Sequence, residues 1–269
     1  MANPILQDTL CPEGSTLYYA LNRLPPGKRS ICVGLFGLYT EFHKLVFSTS
    51  DTVYVQYGWW YQELERLLSD TPRHPVTIAV SNWEGCDRAQ PLQWIENLEP
   101  FIRTSTFEDE NALLALCANL TEPLFRACNL VCGTTDPEDH TVRNAAAAYT
   151  LFGFIQDFGR YVRDGIIPAP RSDLDSMNIT SHSLRTSGSP EIERLLQFQC
   201  DRAIGLLTPP PGEPSRGPLL THYYVLIISA IHLATLHQIR RCHYDVVNSR
   251  IDITPLRKAW IAWKIFRKH

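Results

Sequence analysis

No stretch of this sequence alternates apolar and polar residues over the length of a strand, and that absence excludes a core built from sheets. Internal repeats are missing too, which removes solenoids and propellers. There is no Gly-rich phosphate loop, no Gly-x-Ser-x-Gly elbow and no His-Glu-x-x-His pair. Positive charge is not in excess: 25 Lys and Arg stand against 28 Asp and Glu, so a formal charge of −3 gives no reason to expect a nucleic-acid partner. The most apolar run, Leu219 to Leu236, is interrupted by Thr221, His222, Ser229, His232 and Thr235. It falls short of the ~20 apolar residues a bilayer span needs, and predicts a buried helix. Met1 to Asp8 show neither a basic n-region nor an apolar h-region, so no secretory signal is expected. The cysteines, at 11, 32, 86, 117, 128, 132, 200 and 242, are not tightly paired. Reduced thiols and a cytoplasmic location follow as the expectation.

What the chain does have is helical periodicity. At 269 residues, 44% of them apolar and 20% charged, it is long enough for a sizeable core and ordinary for a folded protein. Leu35, Leu38, Phe42, Leu45 and Val46 recur at helical spacing, making the stretch from Leu35 to Phe47 a core helix. On that helix His43, Lys44 and Phe47 lie within one turn and share a common space. Before it, residues 1–13 read as an irregular arm, and a helix starts behind the cap Ser15. After it, Val55 to Leu68 carries a stripe of Trp59, Trp60, Leu64, Leu67 and Leu68, and both tryptophans are expected in the core. Further helices are expected near Val76, over 94–102, over 108–132 with Thr106 as cap, over 142–163, over 191–207, over 219–240 and from about Thr254. Loops are expected at 134–139, 180–190 and 208–218, where Gly, Pro and Ser gather. The fold class is all-α, one domain spanning 14–269.

Several short motifs then stand in a characteristic order. Gly14-Ser15-Thr16-Leu17-Tyr18-Tyr19-Ala20 is similar to GSSFYYA, and Leu24-Pro25-Pro26-Gly27-Lys28-Arg29 to LPPxxRR. Trp59-Trp60-Tyr61-Gln62-Glu63-Leu64 resembles WWxxEL, and His74-Pro75-Val76 resembles HPV. Thr106-Phe107-Glu108-Asp109 with Leu116-Cys117 resembles TFEDLxxYC. Arg240-Arg241-Cys242-His243-Tyr244-Asp245-Val246 with Leu256-Arg257-Lys258 resembles RRxGYDV followed by LxxxK. Together these pieces resemble the squalene/phytoene synthase family. That resemblance implies an isoprenoid-synthase-like helical bundle around a central apolar cavity, with Ser15, Tyr18, Phe36, Thr40 and Phe154 lining the diphosphate and lipid cavity.

The same resemblance marks departures. The family's first acidic motif, an Arg followed by DDxxD, falls on Thr40, His43, Lys44 and Phe47. The second, NxLRDxxED, falls on the stretch ending Asp157-Phe158-Gly159-Arg160-Tyr161, where only Asp157 keeps its acid. Such enzymes use carboxylate-held magnesium to neutralise a departing diphosphate, and one carboxylate beside an Arg does not replace two facing clusters. Asp157 with Arg160, and Arg160 with Asp164, are spaced to pair on one helix. Lys44 is placed to reach Asp157 from the facing helix.

The expectation is therefore a non-catalytic relative, with no metal or cofactor, that binds an isoprenoid, another lipid or a protein partner. The mitochondrial respiratory complex I assembly factors resemble this family and also lack the aspartates. Leu116 to Pro123 is similar to that branch. The alternative is an active isoprenoid-diphosphate transferase with an altered site, in which Lys44, Asp157 and Arg160 are essential and magnesium returns as cofactor. Cys117, Cys128, Cys132 and His140 lack a second tight pair for zinc and read as structural, while His222, His232 and His237 read as core or cavity-lining side chains. At the C-terminus Arg257, Lys258, Lys264, Arg267 and Lys268 surround Trp260, Ile261, Trp263, Ile265 and Phe266, with no acid after Asp252. That is the pattern of a basic helix lying on a membrane surface, and equally of a solvated terminal helix.

Overall fold

Helix starts in this protein are written in short polar residues and prolines. The Ser15 hydroxyl accepts from the Tyr18 N–H at 3.0 Å, the Asp109 carboxylate from Ala112 at 2.8 Å, and the Ser189 hydroxyl from Ile192 at 3.3 Å. Pro26, Pro75, Pro190 and Pro255 occupy first turns, where a missing N–H costs nothing. The computed structural model describes residues 4–84, 87–134, 140–180, 183–185, 189–208 and 223–268. The helices are α1 (Pro4–Leu10), α2 (Thr16–Leu21), α3 (Pro26–Val46), α4 (Val53–Leu68), α5 (Pro75–Ser81), α6 (Ala89–Leu98), α7 (Glu110–Cys132), α8 (His140–Gln156), α9 (Phe158–Arg163), α10 (Arg171–Ser176), α11 (Pro190–Leu207), α12 (Tyr223–Arg241) and α13 (Pro255–Phe266). Among the described residues the β structure is one isolated bridge between Phe107 and Pro170. The all-α expectation holds.

α3 is the central element. Its residues from Ile31 to Leu38 are buried without a break, so it is enclosed on all sides there. α5 approaches it closely because residue 34 is glycine: a Cβ there would stand 2.9 Å from that of Ala79. On another side Phe42 sits edge-on to Trp94 at 4.9 Å and to Trp60 at 6.2 Å, tying α3 to α6 and α4. α7 packs along both α3 and α8, helped by the small residues Ala145 to Ala148. α11 and α12 cover the far side of α8, and α2 with α13 close over α12.

Four expectations need correction. Residues 4–10 form a helix instead of an irregular arm, because Leu6 and Leu10, one turn apart, both pack on the core. Thr106 does not cap α7: the Phe107 carbonyl accepts from Arg171 at 2.7 Å, which holds this strand-like stretch extended, and Asp109 takes the cap. The helix expected over 142–163 is broken at Asp157, since the Gly159 N–H turns to the Val246 carbonyl. Trp60 is buried, but Trp59 is 44% exposed and lies at the rim. Most of the expected loops at 134–139 and 208–218, part of that at 180–190, the start of the helix at 219–222 and His222 lie outside the described residues.

Candidate functional site

The motif faces of α3 and of α8–α9 meet across a layer of rings. Phe47 lies 4.8 Å from the His43 ring and 5.1 Å from that of Phe154, and Phe154 meets Tyr161 at 5.1 Å. Deeper along the same seam Phe36 and Tyr39 contact Tyr149 at 6.1 and 5.4 Å. His43 Nε2 and the Tyr161 hydroxyl share a hydrogen bond of 2.8 Å that joins α3 to α9. Both groups are neutral near pH 7. Burial, with Arg160 and Lys44 nearby, lowers the imidazole to a pKa of about 4, and burial pushes the phenol well above its ordinary value.

Beside the rings stands one carboxylate, Asp157, and both of its oxygens are engaged. Oδ1 accepts from Arg250 at 2.7 Å and Oδ2 from Arg160 at 3.3 Å. Arg160 continues to Asp164 at 3.9 Å, as its spacing implied, and lies over the Tyr161 ring. Arg250 is held in turn: its second nitrogen donates to Gln156 Oε1 at 2.7 Å, and Gln156 Nε2 donates to the Ile251 carbonyl at 2.8 Å. Lys44 does not reach Asp157. Its side chain is 62% exposed and pairs at 2.7 Å with Glu41, one turn back on its own helix. Arg250 was missed by sequence reasoning because it comes from the loop before α13 and no local pattern marks it.

The resemblance implies magnesium at these two faces. Magnesium wants near-octahedral oxygen ligation and usually one or two carboxylates per ion. Here an imidazole bonded to a phenol, a phenyl ring and a doubly paired carboxylate face one another, and these residues do not fit the ion. Among the described residues no three His, Cys, Asp or Glu side chains converge in a group that would hold a metal.

The other candidate residues are placed as follows. Ser15 caps α2; Tyr18 is edge-on to Tyr19 with Arg29 over its face. The Thr40 hydroxyl donates to the Phe36 carbonyl at 2.9 Å. Phe36 and Phe154 belong to the ring layer. None of the five borders the cavity of about 870 Å³ that opens between α6 and α7, with Leu35, Trp94, Asn119, Pro123 and Arg126 among its walls. Cys32 of α3 lies against Cys128 and Cys132 of α7; Cys117 is buried, and the side chain of His140 is outside the described residues. His237 is exposed, contrary to expectation, since it points away from the packed side of α12. His232 is buried, stacked 3.8 Å from Phe152.

His43 and His232 make stability depend on pH. Burial, with Lys258 nearby, takes His232 down to about 3. Both folded-state values lie below the unfolded value of about 6.5, so the unfolded chain binds more protons between these limits. Stability is full above about pH 6.5 and falls as the pH drops toward 4. The two groups together remove up to about 5 kcal/mol by pH 4.5. Chemical denaturation at pH 7.5 and 4.5 measures this drop, and His232→Phe is expected to cut it by about half. An unchanged drop would show that His232 is not held neutral.

An all-helical bundle in which two motif-bearing helices face each other across the core is an isoprenoid-synthase-type architecture. The chain belongs to the squalene/phytoene synthase family, whose model matches residues 12–257. Among solved structures it is similar to a dehydrosqualene synthase in complex with ligand, with TM-score 0.81, 14% identity, and coverage of 98% of this chain and 95% of that one. Squalene synthase HpnC from Alicyclobacillus acidocaldarius matches with TM-score 0.69, 18% identity and coverage of 90% and 93%. YisP from Bacillus subtilis subsp. subtilis strain 168 matches with TM-score 0.56, 14% identity and coverage of 96% and 92%. At these identities the likeness is one of fold. No protein with a curated description matches the sequence significantly.

Proposed function

We propose that this chain is a non-catalytic member of its family that acts by binding an isoprenoid or another lipid. The observation that carries the reading is Asp157, the carboxylate retained at the meeting of the two motif faces, already paired with Arg160 and Arg250. Ionising an allylic diphosphate needs strong stabilisation of the departing anion, and a magnesium ion supplies several kcal/mol of it in such chemistry. A carboxylate already shared by two arginines, beside a hydrogen-bonded His43–Tyr161 pair, offers no metal ligation of that kind. An isoprenoid or other lipid as the ligand class follows from family membership, and a dehydrosqualene synthase of similar fold has been solved in complex with a ligand.

The test is incubation of the purified protein with farnesyl or geranylgeranyl diphosphate, with and without magnesium. Pyrophosphate release is expected to stay at background. Asp157→Asn is expected to cost about 1 kcal/mol of stability and to leave the cellular role intact. Native mass spectrometry of the purified protein is expected to reveal a co-purified lipid. The competing reading, a transferase that grips diphosphate through its exposed cations, draws on Lys44 and Arg160, whose side chains are 62% and 51% exposed. Pyrophosphate release that Lys44→Ala abolishes would establish that reading and overturn ours.

A further inference from the structure

The two sides of α13 do different work. Its inner side is anchored: Lys258 and Ala262 are buried, the Lys258 ammonium reaches Asp252 at 2.6 Å, and the Phe266 ring meets Tyr223 at 4.9 Å. Its outer side exposes Leu256 at 84%, Trp260 at 56% and Trp263 at 47%. Their spacing of four and three residues aligns them in one stripe about 10 Å long. Arg257, Lys264, Arg267 and Lys268 are exposed on or beside this stripe, and no acid follows Asp252. Lys264 stands 5.2 Å from the Trp260 ring and Arg267 4.8 Å from that of Trp263, so each indole is coupled to a cation.

We propose that this outer face of α13 docks on an anionic lipid surface. Indoles favour the boundary between headgroups and acyl chains, and cations at the same depth meet the lipid phosphates. Charge selects the occupant. A second copy presenting the same face would bring four cations against four, and a neutral surface would leave them unpaired. Among the described residues no helix is long and apolar enough to cross a bilayer, so the contact is peripheral.

The experiment is flotation of the full chain with vesicles of phosphatidylcholine alone and with 30% phosphatidylglycerol. Binding is expected to the anionic vesicles and to weaken as salt rises from about 0.05 to 0.5 M. Lys264→Gln with Lys268→Gln is expected to lower the partition coefficient about 30-fold. Trp260→Ser with Trp263→Ser is expected to abolish binding at unchanged helicity and melting temperature, because both residues point away from the core. Lipids brominated near the glycerol are expected to quench the wild type, and to quench that double variant far less. Equal binding to both vesicle types, binding unaffected by either double variant, or capture of a soluble acidic protein with no vesicle binding would each overturn the proposal.

Discussion

Glu63→Ala is expected to cost about 3–5 kcal/mol of folding stability and to lower the melting temperature by about 10 °C. Glu63 lies in α4 with no exposed surface, yet it is an acid. It survives there because both oxygens are engaged, by four donors in all. Oε1 accepts from the Arg73 and His74 N–H groups, each at 2.7 Å, and from the Thr77 hydroxyl at 2.6 Å. Oε2 accepts from Arg66 at 3.0 Å. Burial alone would raise its pKa, but the bonds from Thr77, His74, Arg73 and Arg66 outweigh it and bring the group to about 2. Its contribution is therefore present above about pH 4.5 and is lost as the pH falls toward 2. Truncation strands buried donors, each of which costs about 1–3 kcal/mol when unsatisfied. It also frees the turn that seats α5 against α3. Glu63→Gln keeps the oxygen that takes three bonds and turns an amide toward Arg66, so a loss of about 1–2 kcal/mol is expected. Urea denaturation separates the two variants; an alanine variant within about 1 kcal/mol of wild type would refute the role.

Gly159→Ala is expected to be comparably damaging, by about 3 kcal/mol or more, for a steric reason. A Cβ at this position would fall 1.8 Å from the Val247 carbonyl oxygen and 2.6 Å from its carbon. These are backbone atoms and cannot rotate aside. The Gly159 N–H bonds to the Val246 carbonyl and Arg163 donates to that of Val247 at 3.2 Å, so the 246–250 segment is fastened to α9 at the point of conflict. Displacing it would pull Arg250 from Asp157 and expose the ring layer. Gly153→Ala is the matched control, since a Cβ there meets nothing within 4 Å and alanine is the better helix former. It is expected to be neutral or to stabilise by up to about 1 kcal/mol. Equal stabilities for the two variants would mean that the close approach at Gly159 is not required.

Both cases show where legibility ended. Glu63 stands in a motif that resembles the family's and Gly159 in one that departs from it, yet the work of both is defined by Thr77 and Val247, partners that no helical period specifies. The same holds for Asp157. Its spacing to Arg160 correctly announced a pair, because two residues three apart on a helix are neighbours whatever the fold. Its stronger partner, Arg250, arrives from a distant loop. The facing-helix position of Lys44 suggests Asp157 as its partner, but a flexible exposed lysine is satisfied by the nearest acid, Glu41.

The sequence by itself determined most of the long helices, the Ser15 cap, the buried stripe of α3 and the residue types at the two motif faces, since these follow from local geometry and spacing. Only the tertiary structure decided that Trp60 is buried while Trp59 is exposed, that Leu6 and Leu10 draw the N-terminal residues into a helix, that the chain breaks at Asp157, and that an arginine from before α13 closes the site. Each of those outcomes depends on which surface packing brings opposite a given side chain, and that is a property of the assembled bundle.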